Sequence, residues 1–470
     1  MSTMFRFTSL LIYASVVVAG LDSQPVDSSS LGSRVATAWY AGWHVTDHPL
    51  SAVSWSKYTI LNYAFALTTP DPSVISVVDS DQILLPQFVA AAHKHNVQAS
   101  LSIGGWTGSR WFSANVGSAP NRTAFVKSVA ALVKKYKLDG IDFDWEYPGI
   151  QGIGCNLVNS SDTANFLLFL QELRTTVGSK LTISAATDVT PFVDSSGAQS
   201  ADVSEFGKVL DYIIMMNYDI KSTPATGAGP NAPLDDSCAP VGSQHGSATS
   251  GVSAWTKAGM PSNQIVLGVP AYGRSYRVAE SAAFSNGASP PLASYPTYDL
   301  SNKPSGDRWN GEGGLDVCGV YQDPGGTYAF RNLVDAGFLN TDGSVQSGIS
   351  YRYDNCSETP FVYDPKTNIL VTFDNVQSFA AKGSYIKSAG LKGFAVWEAA
   401  GDLNNLLVNA ILNGTVNGTS RTIKESPQPS STTSSSSSAA HIYPWNSLHT
   451  LSTTLEVLML FSLFCRSIPF

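Results

Sequence analysis

The chain has 470 residues, a formal net charge of −8 and only 14% charged residues. That length allows one large barrel or two or three average domains, with ample apolar and aromatic material for a core. No basic block occurs, which excludes a nucleic-acid surface and favours a neutral substrate over a polyanion.

The N-terminus carries Arg6, an apolar run from Phe7 to Ala19, then Gly20. This predicts a signal peptide over residues 1–20, too short for a membrane span. Strand-like and helix-like segments then alternate from residue 34 to 413. The predicted strands are Val35–Gly42, Tyr58–Phe65, Val97–Ile103, Leu138–Glu146, Lys180–Thr187, Asp211–Tyr218, Gln264–Tyr272 and Leu391–Glu398. Most are short and rich in β-branched or aromatic residues. Between them, Thr123–Lys135 places Phe125, Val129, Leu132 and Val133 on one helical face. A second helix, Thr163–Val177, has Asp162 to cap its start and Gly178 to end it. Eight strands alternating with helices predict an α/β fold, a (β/α)8 TIM barrel. The seventh and eighth strands stand far apart, and residues 278–365 between them, rich in Tyr, Gly and Asp, predict a small α+β insertion.

After Asn413 the composition changes. Residues 414–440 include a Ser/Thr/Pro-rich stretch with five serines at Ser434–Ser438, expected to be an O-glycosylated stalk. Residues 441–470 form a polar spacer and an apolar tail interrupted by Glu456 and Arg466. Signal, stalk and tail follow the order of a GPI-anchored surface protein, with small residues at Ser437, Ser438 and Ala439 for attachment. The alternative is a free tail on a soluble secreted protein. Either way the protein is expected outside the cell, and as a monomer.

Five cysteines occur: Cys155, Cys238, Cys318, Cys356 and Cys465. Secretion lets the first four pair as two disulfides, in any of three connectivities. Cys318–Cys356 is favoured because both lie in the predicted insertion. No CxxC or His/Cys spacing points to zinc, and no metal or cofactor is expected. Sequons at Asn121, Asn159, Asn355, Asn413 and Asn417 fit a secreted chain.

The most informative segment runs from Leu138 to Pro148. Side chains alternate across a strand, so Asp142, Asp144 and Glu146 share one face while Ile141, Phe143 and Trp145 share the other. Asp139 has the wrong parity for the acidic row, and a structural role is expected of it. Neighbours on one face are about 7 Å apart. Like charges at that spacing disfavour ionisation, so at least one proton should be retained. Glu146 falls at the C-terminal end of the strand, where barrels place their active sites, and is the candidate general acid. A standard retaining glycosidase would need a second carboxylate about 5 Å away as nucleophile. Asp144, on the same strand and side, is poorly placed for that attack. A substrate bringing its own nucleophile, the 2-acetamido oxygen of N-acetylglucosamine, resolves the difficulty.

The stretch Asp139–Glu146 resembles the D-x-x-D-x-D-x-E signature of family 18 glycoside hydrolases. Ser102-Ile103-Gly104-Gly105, Met216-Asn217-Tyr218-Asp219 and Gly393-Phe394-Ala395-Val396-Trp397-Glu398 are similar to that family's third, sixth and eighth strands, in the same order. The resemblance implies an endo-acting, retaining chitinase that works through an oxazolinium intermediate. Its partners would be chitin or N-acetylglucosamine oligomers. It implies that Glu146 is acid then base, that Asp144 holds the acetamido group, that Asp142 tunes Asp144, and that Tyr218 donates to the acetamido oxygen. Trp397 would carry the reactive sugar, with Asp219, Tyr272, Gly105, Tyr147 and Tyr40 as further sugar contacts. Trp43 and Trp106 follow glycines and either stack distant sugars or are structural, and Arg274 either binds sugar or forms a salt bridge. Ser102 is expected to support the acidic row by hydrogen bonding. Asp219 is followed by Ile220, Lys221, Ser222, Thr223 and Pro224, where many family members have aromatic or glycine residues. That departure leaves contacts beyond the central sugars open. The same signature also fits an endo-β-N-acetylglucosaminidase of N-glycans. A non-catalytic chitin-binding lectin is a further alternative, although such proteins typically lose the final glutamate.

Overall fold

The computed structural model describes residues 26–418, apart from 221, 288, 289, 311 and 312. The signal-peptide region, nearly all of the stalk, the tail and Cys465 lie outside the described residues.

Eight parallel strands close into a barrel. In chain order the first seven are β1 (Val35–Ala41), β2 (Ile60–Thr68), β3 (Gln98–Gly104), β4 (Gly140–Asp144), β5 (Thr182–Thr187), β6 (Tyr212–Met216) and β7 (Ile265–Pro270). The insertion contributes β8 (Tyr272–Arg277), β9 (Thr327–Ala329), β10 (Ser350–Asp354), β11 (Thr359–Asp364) and β12 (Ile369–Thr372), and the eighth barrel strand is β13 (Gly393–Trp397). β13 pairs with β7 on one side and β1 on the other, and β1 also pairs with β2, which closes the ring. Each expected strand has an observed counterpart within a few residues.

Helices α1 (Asp79–Lys94), α2 (Ala119–Tyr136), α3 (Asp162–Val177), α4 (Ser204–Val209) and α5 (Ala248–Lys257) make the successive crossovers from β2 to β7. Phe125 and Val129 of α2 are fully buried, and Leu132 and Val133 pack against the same core, as their 3.6-residue spacing requires. Gly178 ends α3 with a φ of +76°. Asp162 does not act as the N-cap: its carboxylate accepts from Ser113 Oγ (2.7 Å) and from the backbone N–H groups of Asn159 (2.8 Å) and Gly149 (3.3 Å). It therefore pins the loop leaving β4.

Strand alternation sorts the core into two. Ile141, Phe143 and Trp145 face the helices, while Trp39, Ala64, Ala186, Tyr212, Ile214, Val266 and Ala395 fill the barrel interior. The insertion is a five-stranded antiparallel sheet in the order β9-β8-β12-β11-β10. It is wider than the expected 278–365, because β8 follows β7 after the single residue Ala271 and no turn signal marks the junction. Helices α6 (Val376–Ser388) and α7 (Leu406–Asn417) follow β12 and β13. α7 carries the barrel past residue 413, with Thr415 buried and its hydroxyl bonded to Ile411 O. Residues 414–417 thus belong to the fold and not to the stalk.

The disulfides are Cys155–Cys318 and Cys238–Cys356. The expected Cys318–Cys356 pair does not form. Each insertion cysteine instead bonds to a barrel loop, at Cα separations of 5.6 and 6.2 Å, within the bridging range.

Candidate active site

The parallel register sets Ser102, Asp142 and Ser184 side by side on β3, β4 and β5, with Gly104, Asp144 and Ala186 one layer nearer the rim. Asp142 has no solvent exposure, and its carboxylate accepts from Ser102 Oγ (2.8 Å), Ser184 Oγ (2.7 Å) and Trp39 Nε1 (3.2 Å). Burial raises its pKa and the three donors oppose that rise. Asp144 is 4% exposed, and its Oδ1 is buried without a hydrogen-bond partner among the described residues. Burial, then the charges of Glu146 and Asp142, hold its pKa well above the usual carboxylate range.

Glu146 lies just past the end of β4. Ser109 Oγ accepts its N–H (3.0 Å) and Asn156 Nδ2 donates to its carbonyl (2.8 Å), so the backbone is fixed on both sides. Burial raises its pKa to about 7, hydrogen bonding from Tyr147 pulls the other way, and the charges of Asp219 and Asp188 add to the rise. Gly104 explains how strand and loop come this close. At φ +113° it leaves a space in which a Cβ would meet Asp144 O at 2.1 Å. A Cβ on Gly105 would likewise strike the Phe65 ring at 2.9 Å.

Trp397, at the end of β13, stacks on Phe65 with centroids 5.6 Å apart and meets Trp39 edge-on at 5.6 Å. Trp43 stands 6.4 Å from it and is 56% exposed. Trp106 is 50% exposed, so both indoles present open faces. Tyr218 packs edge-on against Tyr272 at 6.2 Å, and burial, followed by the influence of Tyr272, Asp144 and Glu146, raises its pKa. Tyr272 Oη donates to Asp219 Oδ1 (2.6 Å), and Arg274 reaches the same oxygen from Nε (2.8 Å) and Nη2 (2.6 Å). Arg274 is thus a salt-bridge partner of Asp219.

Asp144, Glu146, Tyr147, Tyr218, Asp219, Tyr272, Trp397 and Gly105 lie at or just past the C-terminal ends of barrel strands, with Asp142 one layer deeper. Tyr40 does not join them. It sits on β1 with the opposite parity to Trp39, 1% exposed, packed on Phe88 and Tyr63 with its hydroxyl bonded to His48 O (3.0 Å). Its inward neighbour Trp39 is the β1 residue that reaches the acids, and strand parity alone could have shown this. Asp139 bonds to His93 Nε2 (2.7 Å) and to Ala99 N (2.9 Å), away from the row. Sequence reasoning also missed Phe65, Ser109, Asn156 and Ser184, and the pair His44–Glu398. His44 Nδ1 lies 2.7 Å from Glu398 Oε1, with its ring stacked on Trp309 at 4.1 Å.

The chain is 47% identical to a chitinase-like effector of Moniliophthora roreri, over 82% of this chain and 93% of the relative. It is 45% identical to a chitinase-like effector of Moniliophthora perniciosa, over 82% and 88%. Among solved structures, a chitinase from Rhizomucor miehei superposes with a TM-score of 0.73 at 32% identity, over 81% of this chain and 99% of that one. The model of glycosyl hydrolases family 18 matches residues 36–402, and the chain belongs to that family.

Proposed function

We propose that the protein is a chitinase that hydrolyses β-1,4 links between N-acetylglucosamine units with retention of configuration, using the substrate's own acetamido oxygen. The observation that carries this reading is the buried, unpartnered Oδ1 of Asp144 beside a glutamic acid whose pKa is raised to about 7. The oxygen is an acceptor without a donor, and the acetamide N–H supplies one. Glu146 protonates the glycosidic oxygen as the bond from C1 breaks, while the acetamido oxygen bonds to C1. Asp144 steadies the positive charge of the resulting oxazolinium, and Tyr218 donates to the acetamido oxygen. Water then attacks C1 and gives its proton to Glu146, which restores the acid. Trp397 offers its face to the sugar's C–H bonds. Glu146→Gln should lower turnover by about 10²–10⁴-fold while oligomer binding survives. Near-normal turnover would remove the assignment, and an α anomer as first product would remove the mechanism.

A second reading is that the chain binds chitin oligomers without cutting them, and its support is the likeness to two Moniliophthora proteins called chitinase-like effectors. The intact Glu146 speaks against it. Turnover of a chitin oligomer by the unmodified protein separates the two.

A further inference from the structure

Cys155 follows Glu146 in the loop after β4, whereas Cys318 belongs to the insertion between β7 and β13. In a closed eight-stranded barrel the fourth strand faces the eighth across the axis. The disulfide therefore joins segments that leave opposite sides of the mouth.

Cys318 sits at the tip of a hairpin in which Gly314–Leu315 pairs with Tyr321–Gln322. Its base is fixed on the far side. Asn310 Oδ1 accepts from Thr327 Oγ1 on β9 (2.6 Å), Gly325 O accepts from Arg274 (3.4 Å), and Trp309 Nε1 donates to Asp47 Oδ2 (2.6 Å) beyond β1. Its tip is fixed by Cys155 and by Arg110, which follows Trp106 and donates to Val317 O (3.4 Å). At about 3.3 Å per residue the arm from Cys318 to Gly325 reaches roughly 20 Å, and strands about 4.8 Å apart make the barrel roughly 15 Å across. The arm is long enough to cross.

We infer that this hairpin crosses the barrel mouth above Glu146 and Trp397, and that Cys155–Cys318 closes a covalent ring through which a sugar chain passes only by an end. The inference rests on the reading of the site as a sugar site. An isolated two-stranded hairpin is marginal in water, so the anchors at its base and tip hold it across. Within the tip, Asp316 Oδ1 accepts from the N–H groups of Cys318 (2.8 Å) and Val320 (3.0 Å), which keeps the cysteine facing its partner. With the bond closed, an internal stretch of polymer has no lateral way in, and cleavage starts from chain ends. With the bond absent the hairpin lifts, and the internal attack expected of an endo-acting enzyme becomes available.

The test uses Glu146→Gln throughout, so that the octamer stays uncut, and compares binding of a chitin octamer, free and with a biotin–streptavidin cap at each end, to the protein with its native disulfide and to Cys155→Ala/Cys318→Ala. The disulfide-bonded protein should bind the free octamer and lose the capped one, and the variant without the bond should bind both. Equal binding of both octamers by the disulfide-bonded protein overturns the ring and leaves the sugar reading standing. Binding of neither removes the sugar reading and the ring with it. Should the variant without the bond fail to fold, a second measurement on the disulfide-bonded protein decides. An octamer bound first and capped afterwards should stay trapped through exhaustive washing, and its release at the rate of an uncapped octamer would overturn the ring.

Discussion

Two sets of buried carboxylates in this molecule are handled in opposite ways. Asp374, just ahead of α6, bonds to Lys382 within that helix, and neither side chain has any exposure. Burial pushes the acid's pKa up and the lysine's down, and each charge answers the other. Along β4 and just past its end, Asp142, Asp144 and Glu146 stand close together, and no lysine, arginine or histidine bridges to them among the described residues. Serine hydroxyls and an indole N–H stand in for cations at Asp142 alone. A paired charge is a structural solution. An unpaired row is destabilising, and a chain tolerates such a cost where the retained proton has work to do.

The sharpest way to break that comparison is to remove one member of each set. Glu146→Gln should cost about 10²–10⁴-fold in turnover and leave the melting temperature within a few degrees. Lys382→Met should do the reverse, losing about 3–5 kcal/mol of stability because Asp374 is left buried and alone. Denaturant titration and oligomer hydrolysis on both variants give the four numbers. Equal effects on both readouts would erase the distinction.

Asp142→Ala lies between these extremes. It orphans donors from Ser102, Ser184 and Trp39, each worth about 1–3 kcal/mol when left buried and unmet. Asp142→Asn keeps an acceptor and should recover much of the loss in a melting experiment.

The pH dependence sharpens the same contrast. The row's folded pKa values are raised, so its carboxyls are best accommodated when protonated. Their contribution is fully present below the ordinary carboxylate pKa and is lost as pH rises through the folded values, which for Glu146 is about 7. The melting temperature of the free protein should therefore fall between about pH 5 and pH 8, and less steeply in Asp144→Asn. Turnover should fall as the pH rises through about 7, where Glu146 gives up its proton. A flat melting profile would contradict the raised values.

The smallest effect is expected at Tyr40→Phe. It removes one hydroxyl bond to His48 O, worth about 1 kcal/mol, and should leave KM unchanged because the ring lies outside the site.

Much of this was legible in the sequence because two periodicities carry it. The alternation along Ile141–Trp145 puts acids inward and apolar residues outward, and the structure follows it, with Asp139 the acid of opposite parity that bonds elsewhere. The same rule applied to Val35–Ala41 separates Trp39 from Tyr40. What could not be read is long-range. Ser184 meets Asp142 only through the lateral register of β4 and β5, and Ser109 reaches Glu146 from a loop whose path no local pattern encodes. The disulfides failed for the same reason. Proximity in the chain favoured Cys318–Cys356, but each cysteine met a partner 163 or 118 residues away. Asp162 shows the local version of the problem, since a residue in capping position served a neighbouring loop instead.

Asp142 collects donors carried by β1, β3 and β5 while sitting on β4 itself. It works as a keystone for half the staves, whatever the rim above it does. On the proposed chitinase reading, selection for a foldable barrel and selection for hydrolysis press on different members of the same row. In a descendant released from catalysis, Glu146 would be free to drift first, Asp144 next, and Asp142 last. The order of decay along the strand would record how long ago such a lineage stopped cutting sugar.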